Sequence, residues 1–457
     1  MEKLLNGVKK IHFIGIGGSG MFPIVEILSK NGYEISGSDN NESDITRMVL
    51  NMGIKVNMQQ KAENIKGADL IIYTSAILEN NEELVAAKKS GIKMIERNDF
   101  LNYFTKKYSN CICVCGTHGK TTTTSMLTQN LLEAGKDPSA IIGGKLNAIN
   151  GYSRLGKSSI LVCEACEFKD HFLKLNPNTT IVLNIDDDHL DYFKTMERLK
   201  SSFKKFCEKT TDTIIYNGDD ENTKEVISSL LNKTKNLISY GFNETNDYYA
   251  TNIKKQNGMN VVFDVYKNKK LLFKEAEISI PGKFNILNAL ATLAASLENG
   301  VEIKDAVASL KNFKGAGKRL ELVGKIKGIT VLQDYAHHPK EVFETLKAVK
   351  ESGFKNVWVI HQPYTFSRTV RLKKEFKDAL SVADRVVITE ILGGREQNTT
   401  NFTGKDLANL IDGAVFIKEQ EDVRPYILEN AKEGDVVVTM GCGDIYKSAK
   451  MIVYGKY

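Results

Sequence analysis

Residues 111–124 read Cys-Ile-Cys-Val-Cys-Gly-Thr-His-Gly-Lys-Thr-Thr-Thr-Thr. A short apolar run stops at glycine, and a Lys-Thr pair then opens a helix-like segment. Backbone N–H groups around Gly116 and Gly119 can cradle phosphate oxygens at the positive end of that helix. Lys120 can neutralise them, and the Thr121 hydroxyl can hold Mg²⁺. Such a loop points to nucleoside triphosphate chemistry. The common G-x-x-x-x-G-K-[ST] spacing would require Gly at 114, where this chain has Val114. The loop is therefore the tighter G-T-x-G-K-T variety.

Other residues could join it. Glu164 and His189 lie at or just beyond the carboxyl ends of predicted strands, where open α/β sheets collect ligand-binding groups. A carboxylate and an imidazole are both suited to Mg²⁺ beside a transferring phosphate. The acidic run Asp186-Asp187-Asp188 reads as a solvated turn, and Asp187 is given no role. Near the amino terminus, Gly15-Ile16-Gly17-Gly18-Ser19-Gly20 follows a strand and opens a helix, and Asp39 ends the next strand. That pattern suits NAD or any other diphosphate, so a nicotinamide dehydrogenase is the alternative from a different class. It leaves the Lys120 loop unexplained. Further on, Asp334-Tyr335-Ala336-His337-His338-Pro339 joins a strand to a helix. Adjacent histidines point apart, which suggests that one meets substrate while the other packs. Arg368 has the chemistry of a carboxylate clamp or is an ordinary surface arginine.

These groups need a scaffold. At 457 residues the chain is too long for one core. With 42% hydrophobic and 26% charged residues it reads as an ordinary soluble protein. A net charge of +6 without dense basic runs argues against nucleic-acid binding. Apolar runs are too short to cross a bilayer, and no signal-peptide core opens the chain, so a cytoplasmic location with no membrane partner is expected. Seven cysteines, mostly inside apolar runs, fit reduced thiols. Cys111, Cys113 and Cys115 alternate along one strand and should be buried on one face. Cys163 and Cys166 form a lone C-x-x-C without a second ligand pair for zinc.

Strands are expected at 11–16, 33–38, 70–74 and 93–95, then at 111–115, 160–166 and 180–185, with helices between. Residues 240–281 read as short alternating strands with an Asn257-Gly258 turn, and helical periodicity returns at 284–299. A third alternating block carries strands at 329–333, 357–360, 386–389, 414–417 and 436–440. The fold class is α/β, with three such units in series.

Taken together, these segments resemble the Mur ligases of peptidoglycan synthesis over nearly the whole chain. The likeness rests on the 15–21 loop, Gly-Thr-His-Gly-Lys-Thr, and Asn184-Ile185 with Asp188-His189-Leu190-Asp191-Tyr192. It continues through Gly282-Lys283-Phe284-Asn285-Ile286-Leu287-Asn288-Ala289, Gly317-Lys318-Arg319, residues 334–339 and Gly441-Cys442-Gly443-Asp444-Ile445. It implies a Rossmann-like UDP-sugar domain at 1–107, a central P-loop-type ATPase domain at 108–321 and a Rossmann-like closing domain at 322–457. The implied activity is ATP-dependent joining of L-alanine to the lactyl carboxylate of UDP-N-acetylmuramate, in a cytoplasmic monomer or homodimer. Mg²⁺ would assist, with Mn²⁺ able to substitute.

Carried over by position, Gly116, Thr117, His118, Gly119, Lys120, Thr121 and Thr122 would bind ATP. Asn288 would meet the adenine with Asn285 in support, and Arg319 and Asp334 would hold phosphate and ribose. Thr121, Glu164 and His189 would ligate metal. Gly15, Gly17, Gly18, Ser19, Gly20, Ser38, Asp39, Ser75 and Ala76 would line the UDP pocket. Tyr335, His337, His338 and Arg368 would form the amino-acid pocket, with Lys120, Glu164, His189 and His337 in the catalytic group. Departures from the family pattern are Cys166 in place of an acid, Tyr364 in place of His and Val370 in place of a basic residue. The nearest alternative activity attaches a tripeptide to the same sugar nucleotide.

Overall fold

The structure is a computed structural model and describes residues 2–75, 77–187, 190–230, 235–255, 260–394 and 396–456. The first sheet comprises β1 (Lys10–Ile14), β2 (Glu34–Ser38), β3 (Lys55–Asn57), β4 (Leu70–Tyr73) and β5 (Lys93–Glu96), all parallel in the order β3-β2-β1-β4-β5. Sequence periodicity misses β3, whose three residues carry one apolar side chain and stay partly exposed. The strand order reverses at β1, so the carboxyl ends of β1 and β4 flank the crevice where such sheets bind ligands.

The second sheet adds β6 (Asn110–Cys115), β7 (Ser139–Leu146), β8 (Gly151–Arg154), β9 (Ile160–Glu164), β10 (Thr179–Val182), β11 (Thr213–Asn217) and β12 (Asn236–Gly241). Their order is β12-β11-β10-β6-β9-β7-β8, parallel except for β8. Cys111, Cys113 and Cys115 are buried together as the alternation predicts, and Cys113 stands opposite Cys163 on β9. Hydrogen bonds from Cys111 and Cys163, together with burial, push the Cys113 thiol well up, and burial does the same for Cys115. The helix Lys120–Glu133 leaves β6 through its carboxyl end, and residues 121–131 are all buried. Five threonines give it poor intrinsic propensity. Burial and back-bonding compensate: Thr124 Oγ1 donates to Lys120 O at 2.8 Å and Thr128 Oγ1 to Thr124 O at 2.7 Å.

Met1–Asp247 and Ala291–Ala306 form one compact unit. Its apolar core runs without a break from Phe13 and Ile27 through Cys113 and Cys163 to Phe172, Phe203 and Phe206. Glu26, buried on the helix Phe22–Lys30, fastens the two sheets. Its Oε2 accepts the N–H groups of Tyr152 (3.1 Å) and Ser153 (2.9 Å) and the Ser153 hydroxyl (2.8 Å). Replacing Glu26 with Ala removes three charge-assisted bonds and strands two backbone donors. We expect a loss of about 2–4 kcal/mol in denaturant unfolding, with Glu26→Gln intermediate. An unchanged unfolding midpoint would contradict this.

Tyr248–Leu290 and Val307–Tyr457 form the second unit. It holds an antiparallel meander of β13 (Tyr248–Lys255), β14 (Val261–Lys267) and β15 (Lys270–Ile278). The expected Asn257-Gly258 turn lies outside the described residues. The last sheet comprises β16 (Glu321–Ile326), β17 (Ile329–Asp334), β18 (Val357–His361), β19 (Arg385–Ile388), β20 (Val415–Phe416) and β21 (Val436–Met440), in the order β16-β17-β21-β18-β19-β20. Only β16 is antiparallel. Among the described residues no helix is long and apolar enough to cross a membrane.

Candidate active site

The Lys120 loop is built as a cradle. Gly116 has φ 141°, and a Cβ there would stand 2.9 Å from Leu183 Cβ and 3.1 Å from the Asn184 nitrogen, so a side chain would close it. Asn184 shapes the turn: its Oδ1 accepts His118 N–H at 2.8 Å and its backbone carbonyl accepts Thr117 N–H at 2.9 Å. His118 Nε2 lies 3.4 Å from Asp186 Oδ2. Thr117, Thr121 and Thr122 are buried, and Gly119 caps the helix in the left-handed region.

Lys120 Nζ donates to the carbonyls of Gly116 (2.6 Å) and Thr117 (3.0 Å) and pairs with the buried Glu167 at 2.9 Å. Burial alone would favour the neutral amine, but Glu167 and other nearby groups, Glu164 among them, outweigh it and hold the pKa above that of an ordinary lysine. Glu167 is a partner that sequence reasoning missed, although it stands in the same Glu-Ala-Cys-Glu segment as Glu164. Glu164 ends β9, and both its oxygens are positioned: Oε1 accepts the Thr121 hydroxyl at 3.0 Å and Oε2 accepts Gly143 N–H at 2.7 Å. A cradle that tolerates no side chain, a fixed cation and a carboxylate touching a threonine hydroxyl fit a nucleotide phosphate with its magnesium. His189 and Ala76 lie outside the described residues.

In the first sheet, Gly15, Gly17, Gly18, Ser19 and Gly20 leave β1 at the crevice. Asp39 stabilises this turn, with Oδ2 accepting Gly17 N–H at 2.9 Å and Oδ1 accepting Asn41 N–H at 3.0 Å. Ser38 is fully buried. Its carbonyl accepts the N–H groups of Gly15 and Ile16, while its hydroxyl points into the core and donates to Glu83 at 2.5 Å. Glu83 also meets His12 Nε2 at 2.7 Å. Ser75 Oγ lies 3.4 Å from His171 Nε2.

In the second unit, Asn285 and Asn288 share the first turns of the helix Lys283–Glu298. Asn288 Nδ2 donates to Asn285 Oδ1 at 3.1 Å, and Asn285 Nδ2 donates to Pro281 O at 2.7 Å. Asp334 ends β17 and accepts Leu320 and Ala336 N–H groups at 2.7 Å each. Burial raises its pKa to about 6, with Arg319 opposing. The Arg319 guanidinium lies 5.1 Å from the Tyr335 ring centre. The side chains of the two histidines have different partners. The His338 side chain caps the helix Pro339–Lys350, whereas His337 Nδ1 lies 3.1 Å from Tyr335 O. Arg368 lies on the short helix Phe366–Arg371, and its charge acts on the Cys442 thiol, which burial pushes up to about 12.

A glycine-lined cradle at the end of the central strand of a parallel sheet, beside a Rossmann-ordered sheet, is the architecture of a nucleotide-using α/β enzyme. Three family descriptions match the chain: "Mur ligase family, catalytic domain" over residues 10–109, "Mur ligase middle domain" over 114–296 and "Mur ligase, glutamate ligase domain" over 318–443. The chain belongs to the Mur ligase family. It is similar to a UDP-N-acetylmuramate–L-alanine ligase of Caldanaerobacter subterraneus subsp. tengcongensis, 42% identical over 453 residues and 98% of each chain. A protein of the same name from Clostridium botulinum (strain Loch Maree / Type A3) is 41% identical over 97% of each chain. The crystal structure of a UDP-N-acetylmuramate–alanine ligase from Thermotoga maritima superposes with a TM-score of 0.83 at 28% identity, covering 97% of this chain and 98% of that one.

Proposed function

We propose that this protein is a cytoplasmic ligase that joins L-alanine to the lactyl carboxylate of UDP-N-acetylmuramate, driven by ATP, in peptidoglycan precursor synthesis. The observation that carries the reading is Lys120. It is held charged in the short loop by Gly116, Thr117 and Glu167, beside the Thr121–Glu164 pair. Full-length similarity to alanine ligases supports the choice of substrate. The working division of labour is UDP-sugar binding by residues 1–107, nucleotide binding by 108–321 and acceptor binding by 322–457.

A carboxylate resists attack by an amine, so it must first be activated as an acyl phosphate. The carboxylate attacks the γ-phosphorus, ADP leaves, the amine then attacks the acyl carbon, and phosphate departs. Lys120 and the N–H groups of residues 116–119 offset the negative charge that builds on the transferring phosphoryl group. Magnesium, or manganese in its place, would be held by Thr121, Glu164 and His189 and would supply further charge neutralisation. The amine must lose a proton before it attacks. His337 is the candidate base: an Nδ1–H donated to Tyr335 O puts the lone pair on Nε2. Arg368 and Tyr335 would hold the amino acid, and Arg319 and Asp334 the nucleotide.

Phosphate release with UDP-N-acetylmuramate and, separately, L-alanine, glycine, L-serine or tripeptide tests the reading. L-Alanine should give the highest kcat/KM. Turnover with tripeptide alone would favour the recycling activity, and no amine-dependent release would refute a ligase. Asn288, oriented by Asn285, is assigned to the adenine. Asn288→Ala should raise the KM for ATP about tenfold with little change in kcat, and an unchanged KM would remove that assignment.

A further inference from the structure

Arg97 follows β5 directly and opens the helix Arg97–Thr105. Its guanidinium is only partly exposed and lies against the end of the 15–20 loop. A Cβ built on Gly20 would stand 2.5 Å from Nη1. Nη1 donates to Gly20 O at 3.3 Å and Nη2 to Asn98 Oδ1 at 2.5 Å. Both acceptors are neutral, although a guanidinium carries five N–H donors.

Among the described residues no carboxylate pairs with Arg97, and the nearby acids are committed elsewhere. Glu96 takes the Asn98 amide at 2.6 Å and Lys174 at 3.0 Å. Glu164 takes Thr121 and Gly143. Burial disfavours the charge on Arg97, while the carboxylates of Glu96 and Glu164 oppose that effect from within electrostatic range. His171, beside Ser75, is driven down to about 4 by burial and by Arg97, so it is a neutral ring that adds no competing charge. A cation in this setting lacks an anion. Its contact with Gly20 places it at the glycine loop that leaves the carboxyl end of β1, where a sheet of this strand order receives its ligand.

We propose that Arg97 receives an anionic oxygen of the sugar-nucleotide substrate, from its diphosphate or its lactyl carboxylate. The inference rests on the ligase reading above. Binding of UDP-N-acetylmuramate, UDP-N-acetylglucosamine and ATP to full-length wild type, Arg97→Gln and Arg97→Lys tests it by calorimetry, with alanine-dependent phosphate release measured alongside. Arg97→Gln should weaken UDP-N-acetylmuramate binding by about 10- to 100-fold while ATP affinity stays within about twofold, and Arg97→Lys should recover part of the loss. Loss for UDP-N-acetylmuramate alone identifies the carboxylate as the partner. An equal loss for UDP-N-acetylglucosamine identifies the diphosphate. Unchanged sugar-nucleotide affinity in Arg97→Gln, or a parallel loss of ATP affinity with a lowered Tm, overturns the proposal. Wild type without alanine-dependent release would sink the ligase reading instead.

Discussion

Lys120→Ala is expected to lower alanine-dependent phosphate release by about 10³-fold or more. Removing one preorganised charge from a developing oxyanion commonly accounts for 10²–10³-fold, and here the lost ammonium also organises the cradle. It bridges the carbonyls of Gly116 and Thr117, so its removal loosens the loop whose N–H groups should meet the phosphates. A stability effect comes with it. Glu167 is almost wholly buried and is paired with Lys120, so the single variant leaves a buried carboxylate without its counter-charge, at a cost of about 3–5 kcal/mol. The control is Lys120→Ala combined with Glu167→Gln, which removes both charges. The double variant should regain much of the unfolding free energy and none of the turnover. If turnover returns with stability, Lys120 acts only through folding and the phosphate-loop assignment fails.

The Lys120 loop was legible because every cue is local: an apolar run ends at glycine, and lysine and threonine follow at the start of a helix. β6, the loop and the helix then occur in that order. Glu164 was legible for a similar reason, as an acid at the end of an apolar run. The groups that hold these residues were not, because their contacts are distant in sequence. Glu26 interrupts an apolar helix without any visible reason, and its partner Tyr152 lies 126 residues away. Arg97 reads as an ordinary residue at a helix start until Gly20, 77 residues earlier, is brought against it. Edge strands failed differently. β3 is short and half-exposed, and β16 leaves Leu322 in solvent, so neither displays a buried face for periodicity to detect. The unbroken core joining the first two sheets likewise has no signature along the chain.

Glu164→Gln is expected to lower kcat/KM by about 10²- to 10³-fold and to raise the magnesium concentration needed for half-maximal activity. The substitution keeps the shape of the side chain and most of its contacts. A glutamine Oε can accept Gly143 N–H, and its amide can donate to Thr121 Oγ1, whose hydroxyl then turns away. Stability should therefore stay within about 1 kcal/mol of wild type, which separates this variant from Lys120→Ala. What is lost is the negative charge beside Thr121. If that charge serves a divalent cation, excess magnesium should restore part of the activity, and manganese, which accepts similar oxygen donors, should restore it too. If Glu164 only positions Thr121 and the β7 backbone, the glutamine should do so equally well, and activity should be near normal at every magnesium concentration. A magnesium titration of the two proteins at saturating ATP distinguishes the outcomes, and superimposable curves would remove Glu164 from the metal site.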